Sequence, residues 1–297
     1  MKFLIMNNFE ISIEIEQILK GKYEIEYVND NQAYGGDKQC IIGVICNGFF
    51  RYNDIKDFPN LKFIQLLSMG MDQIDLEYCK KHFITVKNAG DTYAIPIAEY
   101  VVGALLTLFR GIHLHLHHQK EKQWIKIRQL QELNEQKAMI LGTGNIGREI
   151  AKRLKAFNVY VCGYNQSGKK VDYFDQVIHQ DLYEHLSHYD IVVCTLPLTD
   201  KTNQMINDDF FTHCKNGIVF VNVSRGQLVD ELSLIRNMKQ GKVDKAILDV
   251  YEQEPLNPES ELYTFKHCIL SPHNSYVSAG NYQRLKAIIA NNIRSIV

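Results

Sequence analysis

Three side chains in the second half of the sequence have the chemistry to reduce a carbonyl that lies beside a carboxylate: Arg225, Glu254 and His273. An arginine guanidinium binds a carboxylate through two parallel hydrogen bonds and polarises the adjacent carbonyl. A histidine exchanges a proton near neutral pH, and a neighbouring carboxylate orients its ring and favours the protonated form. Taken singly, each residue also has a simpler interpretation: a surface ion pair, a loop charge and a capped turn, respectively.

A glycine motif could hold the hydride donor that such a reduction needs. The motif is Gly142-Thr-Gly144-Asn145-Ile146-Gly147. It follows an apolar run and precedes a helical pattern, and its glycines permit a tight turn, the close approach of a pyrophosphate and close helix packing. The N–H groups at the start of the helix would then face the diphosphate. The sequence therefore predicts a dinucleotide site, and a purely structural glycine turn is the alternative.

The end of the next strand bears on the choice between NAD(H) and NADP(H). NAD sites of this kind carry an acidic residue about 20 positions after the glycines, which binds the ribose 2′-hydroxyl and repels a 2′-phosphate. This chain has no acid there and reads Asn165-Gln166-Ser167-Gly168-Lys169-Lys170. We therefore expect NADP(H) to be favoured over NAD(H), the alternative being that the two lysines belong to an ordinary solvated turn.

Short apolar runs alternate with helical patterns along the chain, which is typical of parallel α/β sheets. Predicted strands cover 2–6, 23–28, 41–46, 61–67 and 84–88, and then 137–141, 159–164, 191–195, 217–223 and 245–250. One long helical pattern begins at Pro96, has few breakers before Trp124 and separates two domains. Another covers 282–297 and is expected to return to the first domain. Arg225, Glu254 and His273 follow predicted strands, at the sheet edge where such folds bind ligands.

In its motifs the chain resembles the D-isomer-specific 2-hydroxyacid dehydrogenase family, which includes the glyoxylate/hydroxypyruvate reductases. The segments GTGNIG, TLPLTDKTNQMIN, NVSRGQLVDE, ILDVYEQEPL and SPHNS occur in the family's order and at its typical separations, across roughly Leu66 to Arg284. The resemblance implies a flavodoxin-like substrate domain, over 1–97 and 275–297, and a Rossmann dinucleotide-binding domain over 98–274. It also implies NAD(P)-dependent interconversion of small 2-oxo acids and D-2-hydroxy acids by a homodimer.

The same resemblance assigns roles to individual residues. Arg225 would bind the substrate carboxylate, Glu254 would pair with the histidine, and His273 would be the acid/base. The backbone N–H groups of Met69 and Gly70 would also bind the substrate. The expected cofactor contacts are Gly142, Gly144, Asn145, Ile146, Gly147, Asn165, Gln166, Ser167, Leu196, Pro197, Thr202, Val223, Ser224 and Asp249, the last near the nicotinamide carboxamide. Simple strand-end packing is the alternative for several of these.

The chain departs from the family pattern directly after the histidine. It reads Asn274-Ser275-Tyr276 where the family commonly has an apolar or small residue and a glycine. The resemblance therefore leaves the shape of the substrate pocket, and with it the substrate side chain, open.

Composition argues against several other classes of protein. The 33 Lys and Arg nearly balance the 34 Asp and Glu, so no basic surface is expected to collect nucleic acid. No apolar run has the length of a membrane span, and the first residues do not follow a signal-peptide pattern, so a cytoplasmic enzyme is expected. The seven cysteines include no CxxC pair and are expected to be reduced and mostly buried.

Two other interpretations of the sequence are a zinc-binding protein and a binding protein that only senses the dinucleotide. His113 and His117 have the i, i+4 spacing of zinc ligands on a helix, but no acid follows at HExxH spacing, so no metal is expected. The rival function is a dinucleotide-sensing, corepressor-like binding protein with incidental activity. The complete set of Arg225, Glu254 and His273 favours the enzyme, because sensing alone does not require it.

Overall fold

The computed structural model describes residues 1–296, and the chain divides into two α/β units. The first unit holds Met1–Tyr93 and Ser278–Val297, and the second holds Ala94–Val277. The predicted boundary at residue 97 falls inside a helix of the second unit, because that helix begins at Ala94 rather than at Pro96. A proline is compatible with the first helical turn, whose N–H groups have no partner within the helix.

The first unit is built on a parallel sheet of five strands. They are β1 (Lys2–Met6), β2 (Glu24–Val28), β3 (Ile41–Cys46), β4 (Phe63–Leu66) and β5 (Thr85–Lys87). Their order in the sheet is β2-β1-β3-β4-β5, that of a flavodoxin-like fold. Two helices, α1 (Ile13–Leu19) and α2 (Leu76–Lys81), connect strands of this sheet.

The C-terminal helix, Asn281–Arg294, belongs to the first unit. Leu285, Ile289 and Ile293 recur at a spacing of four and form one apolar face. This face is buried in a core cluster that also contains Phe3 and Ile15. The first unit is therefore discontinuous in sequence.

The second unit is built on a parallel sheet of seven strands. They are β6 (Lys137–Leu141), β7 (Tyr160–Tyr164), β8 (Gln176–Ile178), β9 (Ile191–Cys194), β10 (Ile218–Asn222), β11 (Val243–Leu248) and β12 (Cys268–Leu270). Their order is β12-β11-β10-β9-β6-β7-β8, so the chain winds outward from β6 in both directions, as in a Rossmann fold. The predicted two-domain α/β fold is confirmed. The edge strands β8 and β12, of three residues each, are not among the predicted strands.

The single long helix predicted from Pro96 is wrong. The second unit has α3 (Ala94–Phe109) and α4 (Ile112–Lys120), bent by 66° at their junction, and the segment after α4 is irregular. Gly111 lies at the break with φ +62°, and a Cβ there would come within 2.8 Å of the Leu130 side chain. The remaining helices are α5 (Asn145–Lys155), α6 (Leu182–Leu186), α7 (Asp208–His213) and α8 (Glu231–Lys239).

Two remaining features are the apolar character of α3 and α4 and the state of the cysteine thiols. Within residues 1–296 no single helix has the length and apolar character to cross a membrane; α3 and α4 reach that threshold only as a bent pair, and most of α3 is buried. All seven cysteines are free and five are buried. Burial raises the pKa of the Cys194 and Cys214 thiols to about 12, which leaves them protonated and unreactive.

Candidate active site

The glycine turn between β6 and α5 has the geometry of a dinucleotide-binding turn. Gly142 has φ +102°, and a Cβ there would lie 2.8 Å from Thr195 Oγ1. A Cβ on Gly147 would lie 2.1 Å from the Gly142 carbonyl oxygen. The protein itself therefore requires glycine at these two positions. At Gly144, in contrast, a Cβ would meet nothing within 4 Å, so the space beside it is open.

Thr195 fixes this turn and was not singled out in the sequence. Its hydroxyl lies 3.0 Å from the Leu141 carbonyl oxygen and 2.9 Å from that of Gly142, and donates to both. It follows β9, which neighbours β6 at the point where the strand order reverses. This is the crevice where open α/β sheets bind ligands. The position at a strand end was the only available signal, since a threonine alone indicates nothing.

The loop after β7 is organised by Asn165. Its side-chain Nδ2 donates to Thr143 Oγ1 at 2.8 Å, and its Oδ1 accepts from the backbone N–H groups of Ser167 and Gly168 at 3.1 and 2.7 Å. Asn165 is thus held by the loop itself. The exposed residues of the loop are Gln166, Ser167, Lys169 and Lys170. Residues 165–170 include no acidic side chain; the first acidic residue of the loop is Asp172.

Several residues expected at the cofactor also hold the strand-end loops together. Thr202 Oγ1 donates to the Pro197 carbonyl at 2.7 Å. Ser224 Oγ donates to the Leu196 carbonyl. Val223 is buried directly after β10. Their hydrogen bonds fix the path of the backbone at the carboxyl ends of β9 and β10.

Arg225 is presented by a tight turn after β10. The buried Asn222 side chain donates to the Arg225 carbonyl at 3.0 Å and accepts from the Ser224 N–H at 3.1 Å. The guanidinium Nη1 donates to the Ser224 carbonyl at 2.8 Å. A Cβ at Gly226 would overlap the Tyr251 backbone at 1.8 Å, so this turn packs directly on the chain that follows β11.

His273 and Glu254 are brought together as the sequence predicts. His273 Nδ1 lies 2.9 Å from Glu254 Oε2, and Glu254 Oε1 accepts from the Tyr251 N–H at 3.1 Å. The two side chains are 40% and 37% exposed, so solvent and small molecules can reach them. Because the carboxylate holds the proton on Nδ1, Nε2 is the ring atom left to exchange a proton with a ligand.

Asp249 forms hydrogen bonds to residues on both sides of His273 and so holds the loop that carries it. Its carboxylate, 1% exposed, accepts from the Ser271 hydroxyl at 2.5 Å and the Asn274 N–H at 2.8 Å. It also accepts from the Ser275 N–H at 3.0 Å and hydroxyl at 2.5 Å. His273 itself has φ +50°, a left-handed conformation that is uncommon outside glycine. Asp249 was expected near the nicotinamide; the structure surrounds both of its carboxylate oxygens with donors from the histidine loop.

The turn over residues 68–71 in the first unit is braced through its carbonyls. The Leu67 carbonyl accepts from the Tyr93 hydroxyl at 2.7 Å and the Met69 carbonyl from Asn88 Nδ2 at 2.8 Å. The intervening Ser68 carbonyl accepts from the Ala89 N–H at 2.9 Å, and Ser68 Oγ donates to the Gly70 carbonyl at 2.9 Å. Within one trans peptide the N–H points away from the carbonyl, so each of these hydrogen bonds also fixes the direction of one N–H of the turn. Backbone N–H groups of a turn are donors that an anion can use.

Comparison with known proteins identifies the family. The model of the D-isomer specific 2-hydroxyacid dehydrogenase NAD binding domain matches residues 102–275. This chain belongs to the D-isomer specific 2-hydroxyacid dehydrogenase family. The predicted family is therefore confirmed, together with the expectation of an oxidoreductase that binds a nicotinamide cofactor.

Individual relatives of this dehydrogenase cover most of its length. A glyoxylate/hydroxypyruvate reductase of Arabidopsis thaliana is 32% identical over 224 residues, which are 74% of this chain and 70% of that protein. A glyoxylate reductase of Thermofilum pendens is 31% identical over 246 residues, 80% of this chain and 73% of that protein. The crystal structure of a glyoxylate reductase from Paecilomyes thermophila has a TM-score of 0.88 at 22% identity, covers 99% of this chain and 94% of that one, and so shares the fold.

The residues of the dehydrogenase fit a nicotinamide dinucleotide. The open space at Gly144 is a cradle that any larger side chain would fill, and it adjoins the exposed first residue of α5. A helix N-terminus offers unpaired N–H groups and a positive dipole end to a diphosphate. Among residues 1–296 no group of three or more metal-ligating side chains comes together, and His113 Nδ1 lies 3.1 Å from the Thr107 carbonyl instead.

Proposed function

We propose that this oxidoreductase reduces small 2-oxo acids to D-2-hydroxy acids and prefers NADPH to NADH. The observation that carries the proposal is the pair of His273 Nδ1 and Glu254 Oε2, 2.9 Å apart. It stands at the carboxyl edge of the same sheet that carries the glycine turn and Arg225. A paired, solvent-reachable imidazole is suited to proton transfer at neutral pH.

Arg225 binds the carboxylate of the substrate in this mechanism. Its planar fork makes two parallel hydrogen bonds and draws electron density from the adjacent carbonyl. The bond to the Ser224 carbonyl orients the guanidinium before the substrate arrives. The amides of Met69 and Gly70, in the turn of the first unit, are a separate set of neutral donors that suits a carboxylate.

His273 delivers the proton. A nicotinamide held at the glycine turn would supply the hydride. Nε2 of His273 donates its proton to the carbonyl oxygen of the substrate, and Glu254 holds the ring at Nδ1. Asp249 keeps the backbone of the loop in place, so the ring does not have to reorganise during the reaction. In the reverse direction the neutral ring accepts the proton at the same atom.

The loop after β7 supports the preference for NADPH. Ser167, Lys169 and Lys170 are exposed there, and their charge and hydroxyl favour an added phosphate. An acidic residue, which would bind a ribose 2′-hydroxyl and repel the phosphate, does not occur between 164 and 170.

The experiment is steady-state turnover followed by NADPH or NADH absorbance. Glyoxylate, hydroxypyruvate, pyruvate and a branched 2-oxo acid are the test substrates, and we expect turnover with at least one of them and a higher kcat/KM with NADPH. Tight cofactor binding without turnover of any substrate would favour the corepressor-like sensor instead.

Ile112, Leu116 and Trp124 are exposed on α4 and just after it, which supports a homodimer; light scattering should give twice the mass of one chain.

A further inference from the structure

Glu254 lies in a segment that has no regular structure of its own. Residues 249–260 form neither a helix nor a strand. Glu254 nevertheless has to keep one oxygen on the Tyr251 N–H and the other on His273. Side chains from elsewhere must therefore fix the backbone of this segment.

The backbone of Glu252 is contacted by residues of the chain that follows Arg225. Gln227 Nε2 donates to the Glu252 carbonyl at 3.1 Å. The Glu231 carboxyl, at the start of α8, lies beside the Glu252 backbone and borders a small cavity with it. A third, more exposed contact joins Gln204 Nε2 to Glu252 Oε1 at 3.4 Å.

Burial raises the pKa of the Glu231 carboxyl, and the nearby Glu252 charge raises it further, whereas the backbone N–H of Glu252 opposes the rise. Glu231 borders a small cavity together with Asn222, Tyr251 and Glu252. A half-buried acid that lies beside this backbone and outside the proton-transfer pair is suited to a structural or positioning role.

The segment that follows Arg225 packs directly on the backbone of Tyr251. At Gly226 even a methyl group would overlap the Tyr251 carbonyl, so the Arg225 turn and the Tyr251 backbone are in direct contact. The Tyr251 carbonyl and the Glu252 N–H belong to one planar peptide, and the neighbouring Tyr251 N–H is the one that anchors Glu254. Rotation of that peptide would move Glu254 relative to His273.

We propose that Gln227 and Glu231 are positioning residues that clamp the Glu252 peptide and thereby hold Glu254 against His273, in fixed register with Arg225. The clamp acts through Glu254 and touches neither substrate nor cofactor. It rests on the proposed function, since the register matters only if His273 transfers the proton.

The first test compares pH profiles of kcat for 2-oxo acid reduction. In the wild type the rate falls at high pH as the ring loses its proton, and Glu254→Gln should move that fall to lower pH. Gln227→Glu, which sets a carboxylate against the Glu252 carbonyl, and Glu231→Ala should move it in the same direction and lower kcat by about tenfold, a size typical of coupling between contacting residues. Glu231→Gln keeps an acceptor for the Glu252 N–H and should restore most of kcat. Gln240→Ala, an exposed residue at the end of α8, is the matched control.

A double-mutant cycle decides between positioning and general destabilisation. In the Glu254→Gln background the Gln227→Glu and Glu231→Ala changes should have little further effect on kcat, because the group they position is gone. Full additivity, or a lower kcat with an unmoved pH profile, would overturn the clamp.

A second measurement keeps the clamp separate from the reaction. The titration of the His273 ring can be followed by NMR in the cofactor-bound protein, with its signal assigned by loss in a His273→Asn variant. The clamp variants should shift the titration midpoint in the direction that Glu254→Gln shifts it. A shifted midpoint in a protein that turns over no 2-oxo acid would uphold the clamp and reject the proposed reaction, whereas an unshifted midpoint rejects the clamp.

Discussion

The 68–71 turn of the first unit and the His273 loop of the second are both held from behind, but by different chemistry. The carbonyls of the turn accept hydrogen bonds from neutral side chains of Tyr93, Asn88 and Ser68. The His273 loop is instead tied to one buried carboxylate, Asp249. On the proposed function the turn offers amides to the substrate carboxylate, and a carboxylate behind the turn would compete for those amides and repel the substrate.

The loop has a different task, because it must keep a histidine at φ +50° with its ring against Glu254. A left-handed conformation of a non-glycine residue needs strong support from its surroundings. Hydrogen bonds to a charged group contribute about 2 kcal/mol each, against about 1 kcal/mol for neutral ones. The two tasks give a reason for the difference in charge. A turn that binds an anion is best held by neutral groups, whereas a strained loop is best held by a charged one.

The largest expected effect comes from removing the proton donor itself. His273→Asn should lower kcat by about 10²- to 10⁴-fold, because only proton transfer is lost and asparagine tolerates the left-handed backbone. The Kd for NADPH, measured by fluorescence titration, should stay near the wild-type value. An equal loss of cofactor affinity would show that the substitution disturbs the loop rather than the chemistry.

Breaking the charged brace should come next. Asp249→Asn replaces an acceptor oxygen with an amide that faces the Ser275 N–H, so we expect kcat to fall by about 30-fold, the equivalent of about 2 kcal/mol. Thermal or urea unfolding should show a comparable loss in the free energy of unfolding. Asp200→Asn, at an exposed position, is the control. If NADPH affinity falls as far as kcat, Asp249 contacts the nicotinamide as the sequence suggested, and the positioning role is refuted.

Breaking the neutral brace should have the smallest effect. Tyr93→Phe removes the donor to the Leu67 carbonyl, and a loss of about 1 kcal/mol corresponds to about a fivefold rise in KM for the 2-oxo acid. We expect kcat to change little, since the proton donor is untouched. Tyr27→Phe, at an exposed position of the same unit, serves as the control. A fall in kcat with unchanged KM would mean that the two braces do not have separate tasks.

The elements that the sequence predicted best are the buried parallel strands. β1, β3 and β6 have the predicted bounds, because each is a short apolar run that is buried on both sides of a sheet. The long helix failed at Gly111, whose neighbour Leu130 lies 19 positions away (130 − 111) and is not visible in a helical periodicity.

The candidate site divides in the same way. The glycine turn was predictable because the positive φ of Gly142 and the contact of Gly147 with the Gly142 carbonyl both arise within one strand-turn-helix unit. The clamp on Glu252 and the four donors around Asp249 come from segments more than 20 positions away, as the separations of 25 for Gln227–Glu252 and 22 for Asp249–Ser271 show. No spacing rule connects such residues.

By itself the sequence determined most of the order of strands and helices, the dinucleotide turn and the pairing of His273 with Glu254, because local backbone conformation and side-chain chemistry are properties of single residues and their near neighbours. Only the tertiary structure decided that Asp249 supports the histidine loop, that Gln227 binds the Glu252 carbonyl, and that the carbonyls of residues 67–70 each accept a hydrogen bond. These arrangements depend on which distant donors the folded chain brings within 3 Å or so of an acceptor, and that distance is set by packing.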